Sequence, residues 1–278
     1  MKTREPRVSG TFYPSSQEEL SHKLEELLIE EKEKIDLELA NKTIIGGIVP
    51  HAGYQYSGCE SIHFYEILHQ DFQVFFDTVI ILNPNHHGYG PEIAIDGNDS
   101  WKTPLGTVML DTEFINGLAM PRSTEAHDYE HSGEVQLPFL QKFLEYEIKI
   151  VPISYLRQDP EKSIEIAERI IEINKVQKKN LLIIASSDFS HYVSPDIGER
   201  KDRIIIEKIL SLDVEGVFNE INNLNASVCG CGPIMTLMHY VSKISEDPKV
   251  KLLCFGNSAK SKLATEVVDY ASIIFYEN

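Results

Sequence analysis

Cysteine is scarce in this chain: Cys59, Cys229, Cys231 and Cys254 are the only four in 278 residues. They are too few and too scattered for a disulfide framework. The expected setting is therefore a reducing cytoplasm, where a cysteine acts through metal binding or thiol chemistry. Long apolar runs are missing as well. No stretch approaches the roughly 18 apolar residues of a membrane span, and the opening MKTREPRVSGTFYP has basic residues without the apolar core of a secretory signal. Positive charge is in short supply, with 26 Lys+Arg against 43 Asp+Glu and a net charge of −17. Proteins that grip phosphate backbones or anionic membranes concentrate Lys and Arg. No basic run occurs here, so neither nucleic acid nor membrane is an expected partner.

What remains is the composition of an ordinary globular protein, 42% hydrophobic and 25% charged. No repeat, low-complexity tract or linker divides it, and one domain over residues 1–278 is the expectation. Apolar runs alternate with helix-periodic segments, the pattern of a layered α/β fold. KTIIGGIV (42–49), DTVIILN (77–83), EIKIVPIS (147–154), LLIIAS (181–186), VKLLCF (250–255) and VVDYASIIFY (267–276) read as strands. Their continuous apolarity predicts cover on both faces.

Ser16 and Glu19 make a capping box, followed by Leu20, Leu24, Leu27 and Leu28 on one helix face. A second helix is expected from Ser57, with Glu60 three residues on, and another over 160–174 behind Asp159-Pro160. Helical patterns also cover about 199–211 and 233–244. The segment 96–132 is the least regular and reads as a long functional or poorly ordered loop.

Three predicted strands are each followed by a polar, histidine-bearing loop. His51 lies in VPHAGYQYSG, His86 and His87 in LNPNHHGYG, and Asp188 with His191 in SSDFSHY. In a parallel sheet the carboxyl ends of the strands share one edge, where ligands bind, so parallel strands would bring the three loops together. His51 and His86 are 35 residues apart, the length of one βαβ unit, and are expected at neighbouring strand ends as candidate metal ligands. Asp188 and His191 fit an acid–base or orienting pair beside a metal. His87 reads as a partner that orients His86, or as a surface residue.

Other candidates are weaker. HDYEH carries His127 and His131 four residues apart, a spacing for one helix face, but lacks the HExxH order of metalloproteases. A pocket wall or an ordinary loop is the reading there. His22, His63, His69 and His239 fall in helical segments and read as structural. Ser186 and Ser187 have no GxSxG elbow, and no phosphate-binding glycine loop is present. In SVCGCGP, Cys229 and Cys231 precede a helix whose N-terminus favours thiolate, so either sulfur is a candidate ligand or simply a small residue in a tight turn. Cys59 and Cys254 read as packing.

Taken together, VSGTFYP, VPHAGYQYSG, ILNPNHHGYG, WKTPLGTV, HDYEHSGEVQLPFL, IIASSDFSHY, VCGCGPI and VVDYASIIFY resemble the Memo family, also described as AmmeMemoRadiSam system protein B. The match runs in one order from Val8 to Tyr276. The resemblance implies one three-layer α/β/α domain with a largely parallel or mixed sheet, similar to the LigB-type extradiol dioxygenases. It also implies metal ligands at His51, His86 and Cys229, with Asp188 and His191 beside the metal as orienter and acid–base residue. A radical-SAM protein is the partner that the system name implies.

The dioxygenases use a glutamate where this pattern has cysteine. Thiolate softens the site and shifts its preference toward copper or zinc, which tells against ring cleavage. The leading expectation is thus metal-dependent redox chemistry, with iron or copper ahead of zinc, on an unknown small molecule or peptide in the strand-end pocket. The alternatives are a non-catalytic binding module on the same scaffold and a ring-opening dioxygenase for an unusual diol.

Overall fold

Strands that are apolar on both sides have to be covered on both sides, and the architecture of the chain follows from that demand. The computed structural model describes residues 1–71, 75–260 and 264–278. Among these are strands β1 (Thr3–Arg4), β2 (Thr43–Val49), β3 (Thr78–Pro84), β4 (Ile93–Ile95), β5 (Ser100–Thr103), β6 (Gly106–Leu110), β7 (Lys149–Tyr155), β8 (Leu181–Ser186), β9 (His191–Val193), β10 (Lys249–Asn257) and β11 (Val267–Glu277). The helices are α1 (Gln17–Glu31), α2 (Tyr54–His69), α3 (Thr112–Leu118), α4 (Glu125–Asp128), α5 (Gln136–Phe143), α6 (Pro160–Gln177), α7 (Pro195–Leu210), α8 (Val214–Asn223) and α9 (Cys231–Ile244).

The sheet runs in the order β1-β5-β6-β7-β3-β8-β2-β11-β10, with β4 on β7 and β9 on β11. Its centre, β6-β7-β3-β8-β2, is parallel, and β11 and β10 close one side antiparallel. The mixed α/β fold with helix-covered faces is the one expected. Adjacent glycines on β2 show the two faces directly: Gly46 looks toward Leu237 of α9 and Gly47 toward Phe64 of α2.

Ile183 of β8 pairs with both Gly46 of β2 and Ile80 of β3, so the three strands end at one level. The loops carrying His51, His86 and Asp188 therefore leave from one sheet edge. One detail differs from expectation: β8 lies between β2 and β3, so His51 and His86 are not at neighbouring strand ends. The βαβ crossover through α2 skips one strand.

Local signals mostly placed the helices correctly. The Ser16 side chain accepts the Glu19 amide at the start of α1, and Leu20, Leu24 and Leu27 are buried. Asp159 caps α6 by accepting the Lys162 amide. The second helix begins earlier than Ser57 suggested. α2 starts at Tyr54 behind Gly53, and Ser57, already inside it, donates to the Ala52 carbonyl at 3.1 Å.

The segment 96–132 is not a long loop but holds the β5–β6 hairpin, α3 and α4. Its polar residues misled because they are internal. Asp96 is buried and accepts from the Asn98 amide at 3.0 Å and from the Trp101 indole, and Asp111 caps α3 through the Phe114 amide. No helix among the described residues is long and apolar enough to cross a membrane.

Candidate metal centre

His51 leaves β2 into a buried position where its ring is held by hydrogen bonds of defined direction. The Ser186 hydroxyl donates to the Ser132 carbonyl at 2.7 Å and accepts from Gln136 Nε2 at 2.8 Å. Gln136 is itself oriented, because the same Nε2 donates to the Pro50 carbonyl at 3.0 Å. With its only proton committed, Ser186 Oγ must accept from His51 Nδ1, 2.9 Å away. His51 thus carries its proton on Nδ1, and its Nε2 presents a lone pair. Burial, followed by the neighbouring imidazoles of His131 and His86, holds its pKa well below the usual value, so the ring is neutral.

His86 is fixed by a different partner and is protonated more readily than His51, because, against burial, the hydrogen bond and charge of Glu130 raise its pKa. Its Nδ1 lies 2.8 Å from Glu130 Oε1, and its amide donates to Oε2 at 2.6 Å. Glu130 is buried, and burial alone would raise its pKa. The hydrogen bond and charge of His86, then His131 and Ser132, outweigh burial and hold the carboxyl well below its usual range. An ionised carboxylate only accepts, so His86 Nδ1 is the donor and Nε2 is the nitrogen turned away from Glu130. The orienting partner is Glu130 and not His87, which is exposed and turned toward Tyr129, with ring centroids 6.4 Å apart. A carboxylate behind a ligand histidine is the usual device for fixing ring and tautomer.

Cys229 arrives from the turn before α9. Gly230 lies so close to the end of β8 that an added Cβ would stand 2.5 Å from the Ser186 carbonyl. Gln158 clamps the turn from the other side, donating to the Cys229 carbonyl and accepting the Gly232 amide, each at 2.8 Å. The Cys229 Sγ then lies 3.2 Å from His51 Nε2 and accepts the Asp188 amide at 3.1 Å. Burial, then the charge of Asp188, pushes this thiol well above its ordinary pKa, so a thiolate here needs a cation beside it. Cys231 is a buried member of the apolar core, raised to about 12 by burial. No cysteine among the described residues is in a disulfide.

Asp188 and His191 both come to this edge without hydrogen-bonding each other in the expected way. Asp188 Oδ1 accepts the His51 amide at 2.8 Å, and Oδ2 lies 3.9 Å from His51 Nε2. Burial raises this carboxyl to about 6, against the pull of the His51 amide and the nearby His191 and His86. The His191 ring is oriented by main-chain carbonyls: Nδ1 donates to Phe189 O at 2.6 Å and to Ser227 O at 3.0 Å. Its Nε2 is left as the group able to take a proton.

The sequence reading missed Glu130 and marked His131 only as a pocket wall or an ordinary loop residue. One nitrogen from each of His51, His86 and His131 lies within 4.8 Å of the others, a trio that could hold a metal ion. Cys229 is not part of that trio. The His131 ring stacks on His86 at 4.9 Å between centroids and meets His51 edge-on at 5.5 Å. Burial lowers its pKa to about 4. The spacing of His127 and His131 suggested a shared helix face, but α4 ends at Asp128. His127 instead turns inward, its Nε2 3.0 Å from the Ala94 carbonyl. The available signal was the Glu-His pair itself, since a glutamate beside a histidine can serve another histidine as well.

A family model described as Memo-like protein matches residues 4–274. The chain belongs to the Memo family. Its relatives include a MEMO1 family protein of Archaeoglobus fulgidus, 39% identical over 98% of this chain and 99% of the relative. Another, from Methanosarcina barkeri, is 38% identical over 98% of this chain and 99% of the relative. A Memo-family relative in Methanopyrus kandleri shares 36% identity, covering 98% of each chain. The crystal structure of an uncharacterized protein from Escherichia coli K12 superimposes with a TM-score of 0.50, covering 83% of this chain and 99% of that one. At 9% identity this is a likeness of fold alone.

Proposed function

We propose that this Memo-family protein is a metal-dependent redox protein whose ion is held by His51 Nε2, His86 Nε2 and Cys229 Sγ, with His131 closing the site. The observation that carries the reading is the 3.2 Å approach of Cys229 Sγ to a His51 Nε2 that Ser186 keeps free of its proton. The donor chemistry fits: a neutral imidazole at His51, an imidazole at His86 whose Nε2 a cation would take in place of a proton, and a thiol that ionises beside a cation suit a late first-row metal, iron or copper ahead of zinc. Bound there, iron or copper would supply one-electron chemistry at the sheet edge.

The protein's own groups have separate tasks. Ser186 and Glu130 fix the two ring tautomers. Asp188 secures the His51 main chain through its amide. His191 accepts or returns a substrate proton at Nε2, because its Nδ1 is committed to two carbonyls. Tyr56, Tyr89, Tyr129 and Tyr192 are each exposed, and each lies within five residues of a histidine at this edge. They supply an amphipathic rim for a small molecule or peptide.

The test is metal content after purification without a histidine tag. Wild type and Cys231→Ala should retain iron or copper, while Cys229→Ala and His86→Ala should not. Equal content in all four proteins would refute the ligand set. Retention of metal without any electron transfer to or from it would favour a non-catalytic binding module.

A further inference from the structure

A second group of metal-binding side chains lies away from the strand-end edge, where α1, α2 and β10 meet. Glu30 and Glu31 end α1, and Cys59 lies on α2; one ligand atom from each is within 4.8 Å of the others. Cys59 and Glu31 are buried and Glu30 is exposed, so the group has a closed side and an entrance. Four residues along α2 from Cys59, His63 places Nε2 3.2 Å from Glu31 Oε2, which fixes that carboxylate from behind.

The neighbouring Glu60 adds a buried, unpaired carboxylate oxygen beside this group. It is 6% exposed, and its Oε2 has no hydrogen-bond partner among the described residues. Its Oε1 occupies space that β10 leaves open at Gly256, where an added Cβ would meet it at 2.1 Å. Burial, aided by the charges of Glu31 and Glu30, raises the Glu60 carboxyl to about 7 against the pull of its own amide and of Lys260. Cys254, on the same strand, is raised to about 12 by burial and then by the charges of Glu60 and Glu31. A buried carboxylate without a partner is costly. Here it stands beside Glu31 and Glu30, whose charges repel it.

Two lysines answer that charge at present. Lys34 Nζ lies 2.8 Å from Glu31 Oε1, and Lys260 Nζ lies 3.5 Å from Cys59 Sγ. An ammonium neutralises one charge at a time and offers no fit to a thiolate. A divalent ion of borderline softness takes thiolate and carboxylate together.

We propose that Cys59, Glu31 and Glu30 form a second, structural site for a zinc-type divalent cation, with His63 holding Glu31 in place and Glu60 supplying the remaining negative charge. Binding displaces Lys260 from Cys59 and releases the thiol proton, so it ties the end of α1 to α2 beside β10. This site shares no residue with the strand-end centre and stands or falls separately from it.

The test uses the full chain with His51→Ala and His86→Ala, which disables the strand-end centre. Equilibrated with zinc(II) and desalted, this protein should retain one equivalent by mass spectrometric metal analysis and unfold at a higher temperature than its zinc-free form. Adding Cys59→Ser and Glu31→Gln should abolish retention, and adding His63→Ala should weaken binding about 10–100-fold. In the same background without those changes, zinc should slow alkylation of Cys59, mapped by peptide mass, and cobalt(II) should give a thiolate charge-transfer band. The proposal is overturned if the double variant retains no zinc, or if retention survives Cys59→Ser with Glu31→Gln. Should the latter variant fail to fold, alkylation of Cys59 unchanged by zinc overturns it equally.

Discussion

The Sγ of Cys229 lies 3.2 Å from the Nε2 of His51, joining residues 178 positions apart across one sheet edge. The contact depends on two local features. Gly230 lets the turn before α9 lie against the end of β8, and Ser186, the last residue of β8, sets the proton on the far nitrogen of His51. Each can be tested without touching a proposed ligand.

Ser186→Ala removes the acceptor for His51 Nδ1 and frees the ring to change tautomer. Metal affinity, measured by competition with a chelating dye, should fall about 10–100-fold. The far-ultraviolet circular dichroism should be unchanged. Unaltered affinity would mean that Ser186 does not control the ring.

Glu130→Gln replaces a carboxylate that accepts from His86 Nδ1, the His86 amide, and the Ser132 amide and hydroxyl. The amide can keep only part of that set. We expect weaker metal binding, again by about 10–100-fold, and a loss of stability of about 1–3 kcal/mol in urea denaturation of the metal-free protein.

Arg4→Met tests how the loop bearing Glu130 and His131 is held. The guanidinium is buried, donates to the His127 and Glu130 carbonyls at 2.8 and 2.7 Å, and pairs with Glu134 at 2.5 Å. Removing one partner of a buried pair leaves the other uncompensated, at a cost of about 3–5 kcal/mol. Thermal unfolding should show the drop, and Arg4→Met with Glu134→Gln should recover part of it.

Asp269 gives a pH dependence that involves no proposed metal ligand. Burial, then its contact with Asp202, pushes its carboxyl up to about 8, against about 3.9 in an unfolded chain. Between these values the folded state binds more protons than the unfolded one. This group's contribution to stability therefore falls as pH rises from about 4 to about 8. Asp269→Asn should match wild type near pH 5 and exceed it at pH 8 by on the order of 1 kcal/mol, as read from urea midpoints. A variant less stable than wild type at both pH values would show that Asp269 contributes through packing.

Much of the fold was legible because it rests on local patterns. The apolar runs became strands within about two residues, and Ser16 and Asp159 capped the helices they were expected to cap. Strand order was not legible. Nothing in the residues says that β8 inserts between β2 and β3, since pairing depends on the whole sheet.

The site was half readable for the same reason. His51, His86, Asp188 and His191 each follow a strand, and the edge gathers them. His131 and Glu130 follow no strand of their own. They reach the edge because Arg4 and Glu134 fix their loop against the N-terminal segment, through contacts more than 120 residues apart in sequence. The run 96–132 looked loop-like for a related reason: its Asp and Asn side chains satisfy one another inside the protein, which composition alone reports as exposure.

The most direct measurement is an anomalous difference map from crystals grown with iron(II) or copper, recorded at the metal's absorption edge. A single strong peak bonded to His51 Nε2, His86 Nε2 and Cys229 Sγ is the expected result. A peak held by His51, His86 and His131 with Cys229 turned away, or no peak at this edge, would contradict the proposed centre.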